Sequence, residues 1–222
     1  MGPEANGRLR DIRLLIFDLD GTLIDSEEDL ALSVNATLRW LEMEPLPHPV
    51  IASYVGQGVT VLIQRALGAR AKGNLVEKAA AYFLEYYRDH MLDHTRAYPE
   101  VKEGLERLKP RQMAVLTNKP VDFSRAILTG LGLDRYFAFV YGGNSFDQKK
   151  PDPSGVIQLM KDTAAAAGQT LMIGDSETDI QTGRNAGVWT CGVTYGIGSH
   201  TLAAAKPDLV LNSMMELPAL LA

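Results

Sequence analysis

Short apolar segments alternate with helical patterns along most of the chain. Six of these segments predict β-strands, and several are apolar at nearly every position, as expected of parallel strands that are covered on both faces. They are Ile12–Phe17, Met113–Thr117, Ala138–Tyr141, Leu171–Ile173, Thr190–Val193 and Leu209–Leu211. Helical patterns separate them, so the alternation predicts an α/β fold with a doubly wound, mainly parallel sheet.

One long section, residues 25–94, has almost no strand pattern. It begins with Ser26 and Asp29, whose spacing is typical of a helix N-cap pair, and continues with apolar positions at helical intervals. We therefore expect a helical cap at 25–94 and a core formed by 12–24 and 95–222. An insertion directly after a strand lies over the edge of the sheet where α/β proteins bind ligands.

Composition and charge narrow the class of protein. The chain of 222 residues is 46% hydrophobic and 22% charged, with a net charge of −5, which argues against nucleic acid or an anionic membrane as a partner. No apolar run is long enough to span a bilayer. The single cysteine, Cys191, fits a reducing compartment, and residues 1–11 are polar and predict a disordered leader. We expect a cytoplasmic protein.

Acidic residues follow two of the predicted strands. In LLIFDLDGTL, Asp18 and Asp20 come directly after an apolar run, and in LMIGDSETDI, Asp175 and Asp179 follow another. Two buried carboxylates that lie close together repel each other and need a counter-charge. If the strands are neighbours, three or four acidic oxygens converge, and Mg²⁺ is the leading candidate to bind them together with a phosphate ligand.

Two other strand ends add groups that suit phosphate. Thr117 and Asn118 follow a strand and offer a hydroxyl and backbone amides, and Lys150 lies in a proline-flanked loop as a point charge. Each feature alone has an ordinary structural explanation, such as a turn or a solvated charge. Their joint occurrence, each near a strand end, favours a site for phosphate chemistry.

The chain resembles the haloacid dehalogenase (HAD) superfamily in four motifs that occur in the family's order. The motifs are FDLDGTL at 17–23, LTN at 116–118, KPDP at 150–153 and GDSETD at 174–179. The resemblance covers nearly the whole chain after the leader. It implies a Rossmann-like core with an inserted helical cap of the C1 type.

The resemblance also implies a role for each motif residue. Asp18 would be the nucleophile that forms an aspartyl-phosphate, and Asp20 would protonate the leaving oxygen and then activate water. Thr117 and the backbone near Asn118 would bind the transferring phosphoryl group, while Lys150 would offset its charge. The implied Mg²⁺ ligands are Asp18, the main-chain carbonyl of Asp20, Asp175 and, directly or close by, Asp179.

The same resemblance separates subclasses of the superfamily. The dehalogenases lack an aspartate at the position of Asp20, and the phosphonate-cleaving members use a cap lysine, whereas residues 26–43 contain none. A phosphatase or a phosphomutase remains.

The cap segment 54–68 resembles that of bacterial phosphoglycolate phosphatases. Its turn would bring backbone to the ligand, and its arginine would meet a substrate carboxylate or stabilise the cap. The candidate substrate-binding residues there are Gly56, Gln57, Gly58 and Arg65. The best single expectation is a Mg²⁺-dependent phosphatase that converts 2-phosphoglycolate to glycolate and phosphate.

Other functions stay open at this point. They are a sugar phosphomutase, a phosphatase of another small metabolite, a pyrophosphatase, and a binding protein that keeps the fold without catalysis. We expect a small phosphorylated metabolite as partner, and a monomer or homodimer.

Overall fold

A six-stranded parallel sheet forms the centre of the computed structural model, which describes residues 11–221. Its strand order is β5-β4-β1-β6-β7-β8, and β2 and β3 form a separate antiparallel pair. The strands are β1 (Leu14–Phe17), β2 (Ile24–Asp25), β3 (Arg96–Ala97), β4 (Gln112–Leu116), β5 (Phe139–Tyr141), β6 (Thr170–Gly174), β7 (Trp189–Val193) and β8 (Leu209–Leu211). The predicted leader falls outside the described residues, apart from Asp11.

Helices cover both faces of this sheet. They are α1 (Glu27–Trp40), α2 (His48–Ala52), α3 (Val59–Leu67), α4 (Leu75–His90), α5 (Val101–Leu108), α6 (Val121–Gly130), α7 (Ser154–Thr163), α8 (Glu177–Asn185), α9 (Leu202–Ala205) and α10 (Glu216–Leu220). Alternate residues of β1 enter different apolar clusters: Leu14 packs with α7, and Leu15 belongs to the cluster that contains α5 and α6. The predicted fold class is confirmed, and all six predicted strands are present with bounds shifted by at most two residues.

The register of the central strands aligns their carboxyl ends. Phe17, the last residue of β1, is level with Val115 of β4 on one side and Ile173 of β6 on the other. The residues that follow these strands therefore meet at one edge of the sheet, which is where such sheets bind ligands.

Between β2 and β3 the chain forms the helices α1 to α4 and no described strand. The β2–β3 pair, in which Ile24 faces Ala97 and Asp25 faces Arg96, was not predicted. It brings together the two ends of the helical insertion. The division of the chain into a core and a cap stays a prediction.

The predicted start of α1 at Ser26 is confirmed, but the hydrogen bonds of an N-cap pair are not formed. Ser26 occupies the N-cap position, but its hydroxyl donates to Asp20 Oδ1 at 2.6 Å instead of capping the helix. The buried Asp29 carboxylate accepts hydrogen bonds from the backbone N–H groups of His94 and Thr95 and from the Thr95 hydroxyl. Both side chains therefore serve longer-range contacts at the ends of the helical insertion.

Candidate active site

The predicted polar residues at the strand ends lie together and are largely buried. Asp18 donates its backbone N–H to the Ile173 carbonyl at 2.9 Å, which continues the β1–β6 pairing by one residue. The residues of this cluster are exposed by less than a tenth; they are Asp18, Thr117, Asn118, Lys150, Asp175 and Asp179. Such a concentration of buried polar groups is typical of a functional site.

Three carboxylates and one ammonium form the centre of the cluster. Oxygens of Asp18, Asp175 and Asp179 lie within 4.8 Å of one another. Lys150 Nζ is 2.6 Å from Asp179 Oδ1, to which it donates a hydrogen bond. It is also 2.8 Å from Asp18 Oδ1, an ion pair whose geometry is not that of a hydrogen bond.

The excess of negative charge perturbs these groups. Burial raises the pKa of Asp18 to about 7, and the positive charge of Lys150 limits the rise. Burial, followed by the charges of Asp179 and Asp18, also raises the pKa of Asp175 well above its usual range. Burial would lower the pKa of Lys150, but its two carboxylate partners outweigh burial and raise it. Three carboxylates share one ammonium, so the cluster has an excess of negative charge, and its carboxylate oxygens fit a hard divalent cation such as Mg²⁺.

Hydrogen bonds from two loops hold Asp175 in place. Gly198 N–H donates to Asp175 Oδ2 at 2.6 Å, and the Thr22 hydroxyl donates to Oδ1 at 3.3 Å. Gly21 has φ +83°, and a Cβ at that position would lie 2.2 Å from Asp175 Oδ2. A side chain at Gly196 would likewise lie 2.3 Å from Asp175 Cβ. From the sequence we expect the Gly196–Gly198 segment to be a loop near the rim of the site with no separate chemistry, and its contact with Asp175 was not predicted.

Asn118 joins three segments with its side-chain amide. Its Oδ1 accepts the backbone N–H of Lys150 at 2.9 Å, and its Nδ2 donates to the Lys150 carbonyl at 3.1 Å. The same Nδ2 donates to the Gly56 carbonyl at 2.9 Å. The amide is thus occupied by backbone partners, and it fixes both the lysine loop and the turn that precedes α3.

Asp20 has a partner that sequence reasoning missed. Lys119 Nζ lies 2.9 Å from Asp20 Oδ1 and 3.1 Å from Oδ2, and both side chains are largely buried. The signal for it in the sequence was its position directly after Thr117 and Asn118, at the end of β4.

A small cavity of about 40 Å³ lies between these groups and the helical insertion. Its polar wall consists of Asp18, Asp20, Thr117, Asn118 and Lys119. Its other wall consists of Leu30, Val55, Gly56, Gly58, Val59 and Leu62. The structure does not bring Gln57 or Arg65 into this cavity: both are exposed, and Arg65 donates to Gln57 Oε1 at 3.0 Å.

Known proteins resemble the chain over nearly its whole length. Residues 15–193 match the haloacid dehalogenase-like hydrolase family. A phosphoglycolate phosphatase of Neisseria meningitidis is 38% identical, with 96% of this chain and 94% of that protein covered. One of Colwellia psychrerythraea is 40% identical over 85% of this chain and 87% of that protein. The crystal structure of a predicted phosphoglycolate phosphatase from Haemophilus somnus has a TM-score of 0.91 and 32% identity, and covers 96% of this chain and 99% of that one.

The chain belongs to the haloacid dehalogenase-like hydrolase family. Within that family it is a phosphoric monoester hydrolase. Among the helices of residues 11–221, none combines the length and the apolar character needed to cross a membrane.

Proposed function

We propose that this enzyme is a Mg²⁺-dependent phosphatase that hydrolyses 2-phosphoglycolate through an aspartyl-phosphate on Asp18. The observation that carries the proposal is the surroundings of Asp18: a buried carboxylate on the cavity wall, with the Lys150 ammonium 2.8 Å away and Asp20 on the same wall. A nucleophile next to an acid and a cation is the arrangement that phosphoryl transfer to a side chain requires.

In the first half-reaction, an Asp18 oxygen attacks phosphorus and the bond between phosphorus and the ester oxygen breaks. Asp20 gives a proton to that oxygen, so glycolate leaves as the alcohol. Lys150 and the Thr117 hydroxyl stabilise the charge on the transferring group. In the second half-reaction, Asp20 takes a proton from water, the water oxygen attacks phosphorus, and inorganic phosphate leaves with Asp18 restored.

The residues that would hold Mg²⁺ are Asp18, the main-chain carbonyl of Asp20 and Asp175. When bound, the ion offsets negative charge on the phosphoryl oxygens. Asp179 accepts from Lys150 at 2.6 Å and from the Ser176 hydroxyl at 2.7 Å. These contacts favour a role for Asp179 in orienting Lys150 at the edge of the metal site.

Two observations support a very small substrate. The cavity is small, about 40 Å³, which favours a phosphate ester with a short tail over one with a bulky tail. Relatives from several bacteria carry the name phosphoglycolate phosphatase. A cytoplasmic location and a monomeric or homodimeric state stay predictions from the sequence.

A phosphate-release screen tests the proposal. Purified protein is assayed with Mg²⁺ against 2-phosphoglycolate, sugar phosphates, nucleotides and pyrophosphate. We expect the highest kcat/KM for 2-phosphoglycolate, loss of turnover in Asp18→Asn, and normal turnover in Asp25→Asn, a matched change on an exposed aspartate nearby. Full activity of Asp18→Asn would contradict the nucleophile, and an equal rate with all esters would contradict the substrate.

A further inference from the structure

The cavity wall carries a buried cation for which the reaction steps above have no use. Among the described residues that line the cavity, Lys119 is the only cationic one; it is 7% exposed. Lys150 serves the phosphoryl end of the site through Asp18 and Asp179. Lys119 instead lies on the side of Asp20, where the alcohol part of a substrate would leave.

The Lys119 ammonium is held but not fully satisfied. Asp20 accepts from it with both oxygens, at 2.9 and 3.1 Å, which accounts for two of its three N–H donors. The ring of Tyr87, on α4, covers it with a centroid distance of 4.7 Å, a cation–π contact. Besides Asp20, the Tyr87 hydroxyl is the other oxygen of residues 11–221 that interacts with this ammonium, and it lacks hydrogen-bond geometry to it. The third donor can therefore turn to an anionic oxygen.

We propose that Lys119 is the specificity-determining residue that binds the carboxylate of the substrate. The inference rests on the proposed function and deepens it, since it defines the substrate class as phosphate esters of 2-hydroxycarboxylic acids. Asp20 and Tyr87 position the ammonium, and the carboxylate of the substrate takes its free donor.

The distances limit where that carboxylate lies on the substrate. To protonate the ester oxygen, Asp20 has to lie about 2.6–3.2 Å from it. Lys119 Nζ is 2.9 Å from Asp20 Oδ1. In the ester of a 2-hydroxy acid, three bonds separate the ester oxygen from a carboxylate oxygen, a span of about 3 Å. The Asp20 oxygen, the ester oxygen, a carboxylate oxygen of the substrate and Lys119 Nζ can therefore form a ring of short contacts. A carboxylate further along the substrate chain does not fit that ring.

Arg65 is the competing candidate, since it is the basic residue that the cap pattern indicates. Its side chain is exposed, is paired with Gln57 and does not line the cavity. If Lys119 binds the carboxylate, its substitution should abolish the preference for a substrate that carries a carboxylate. If Arg65 binds it, substitution of Arg65 should do so instead.

The test compares kcat/KM for 2-phosphoglycolate and for 2-hydroxyethyl phosphate, which also has two carbons and carries a hydroxymethyl group in place of the carboxylate. It uses wild type, Lys119→Met, Lys119→Arg and Arg65→Met. Both esters release an alkoxide of similar basicity, so damage to Asp20 or to the fold lowers both rates equally and leaves their ratio unchanged. The ratio thus isolates recognition of the carboxylate.

We expect the wild type to prefer 2-phosphoglycolate and Lys119→Met to lower the ratio by about 10- to 100-fold, the effect of one charge-assisted hydrogen bond. Lys119→Arg should keep most of the preference, and Arg65→Met should keep all of it. If Lys119→Met does not fold, as judged by circular dichroism, Lys119→Gln should show the same loss.

Two results would overturn the inference alone: a wild-type ratio in Lys119→Met or in its Gln substitute, or a lost preference in Arg65→Met. Hydrolysis of neither ester by the wild type would overturn the proposed function as well. The wild-type measurement therefore distinguishes the two failures.

Discussion

Substitution of Asp29 by asparagine should destabilise the protein strongly, although Asp29 does not line the cavity. The carboxylate, 1% exposed, lies on α1 and binds the segment that precedes β3. It accepts from Thr95 N at 2.8 Å, from the Thr95 hydroxyl at 2.7 Å, and from His94 N and Nδ1 at 3.0 and 2.8 Å. These contacts join the two ends of the helical insertion.

The size of the effect follows from those contacts. Asparagine turns one of the two oxygens into an N–H donor. In one orientation both Thr95 donors lose their acceptor, and in the other only His94 Nδ1 does, because the His94 N–H reaches both oxygens. Hydrogen bonds to a charged group contribute about 1.5–3 kcal/mol each, so the less costly orientation should lower the free energy of unfolding by about 1.5–3 kcal/mol. For a chain of this length that corresponds to a fall in Tm of about 5 °C.

Urea unfolding at pH 7, followed by circular dichroism, measures this change. Asp93→Asn is the matched control: Asp93 is half-exposed and pairs with an exposed histidine, His90, so its loss should cost less than about 1 kcal/mol. A change in Asp29→Asn of no more than about 0.5 kcal/mol would refute the argument that this network holds the insertion in place.

The pH dependence of the same variant gives a second check. Burial would raise the pKa of Asp29, but hydrogen bonds from Thr95 and His94 outweigh it and lower the pKa. The stabilisation is therefore present above the unfolded value of about 3.9 and is lost as the pH falls through the folded pKa. The difference in stability between wild type and Asp29→Asn should shrink below pH of about 4.

Three further predictions concern the site. Gly21→Ala should lower kcat at least about 100-fold in a protein that still folds, because its Cβ would displace Asp175; the assay is phosphate release, with circular dichroism as control. Asn118→Ala should reduce stability by about 1–3 kcal/mol in urea and lower kcat, because the backbone of Lys150 loses its hydrogen bonds with the Asn118 amide. Because burial raises the pKa of Asp18 to about 7, Mg²⁺ affinity by calorimetry should be about tenfold weaker at pH 6 than at pH 8; equal affinities would contradict this.

Much of the core could be predicted because its patterns are local. The strands β1, β4 and β6 are apolar at almost every position, and polar residues follow each of them directly. Parallel strands place those ends on one edge, so the meeting of Asp18, Thr117 and Asp175 could be expected from the sequence alone.

Other features depend on contacts between distant parts of the chain. The strands β2 and β3 have two residues each, too few for an alternating pattern. They form because Asp25 and Arg96, 71 positions apart in the sequence, are paired in the folded chain. Ser26 has the local spacing of a helix cap, yet its hydroxyl donates to the largely buried Asp20 carboxylate instead. Lys119 forms an ion pair with Asp20, which lies 99 positions earlier in the sequence, so no local sequence pattern predicts the contact.

The most direct test of the account is to trap the phosphorylated enzyme. Protein mixed with 2-phosphoglycolate and Mg²⁺ is quenched within milliseconds and treated with borohydride, which reduces an acyl phosphate to an alcohol, and the peptides are then sequenced by mass spectrometry. We predict homoserine at position 18, only when substrate is present. Turnover without modification at that position, or modification at Asp20 or Asp175 instead, would contradict the central claim that Asp18 is the nucleophile.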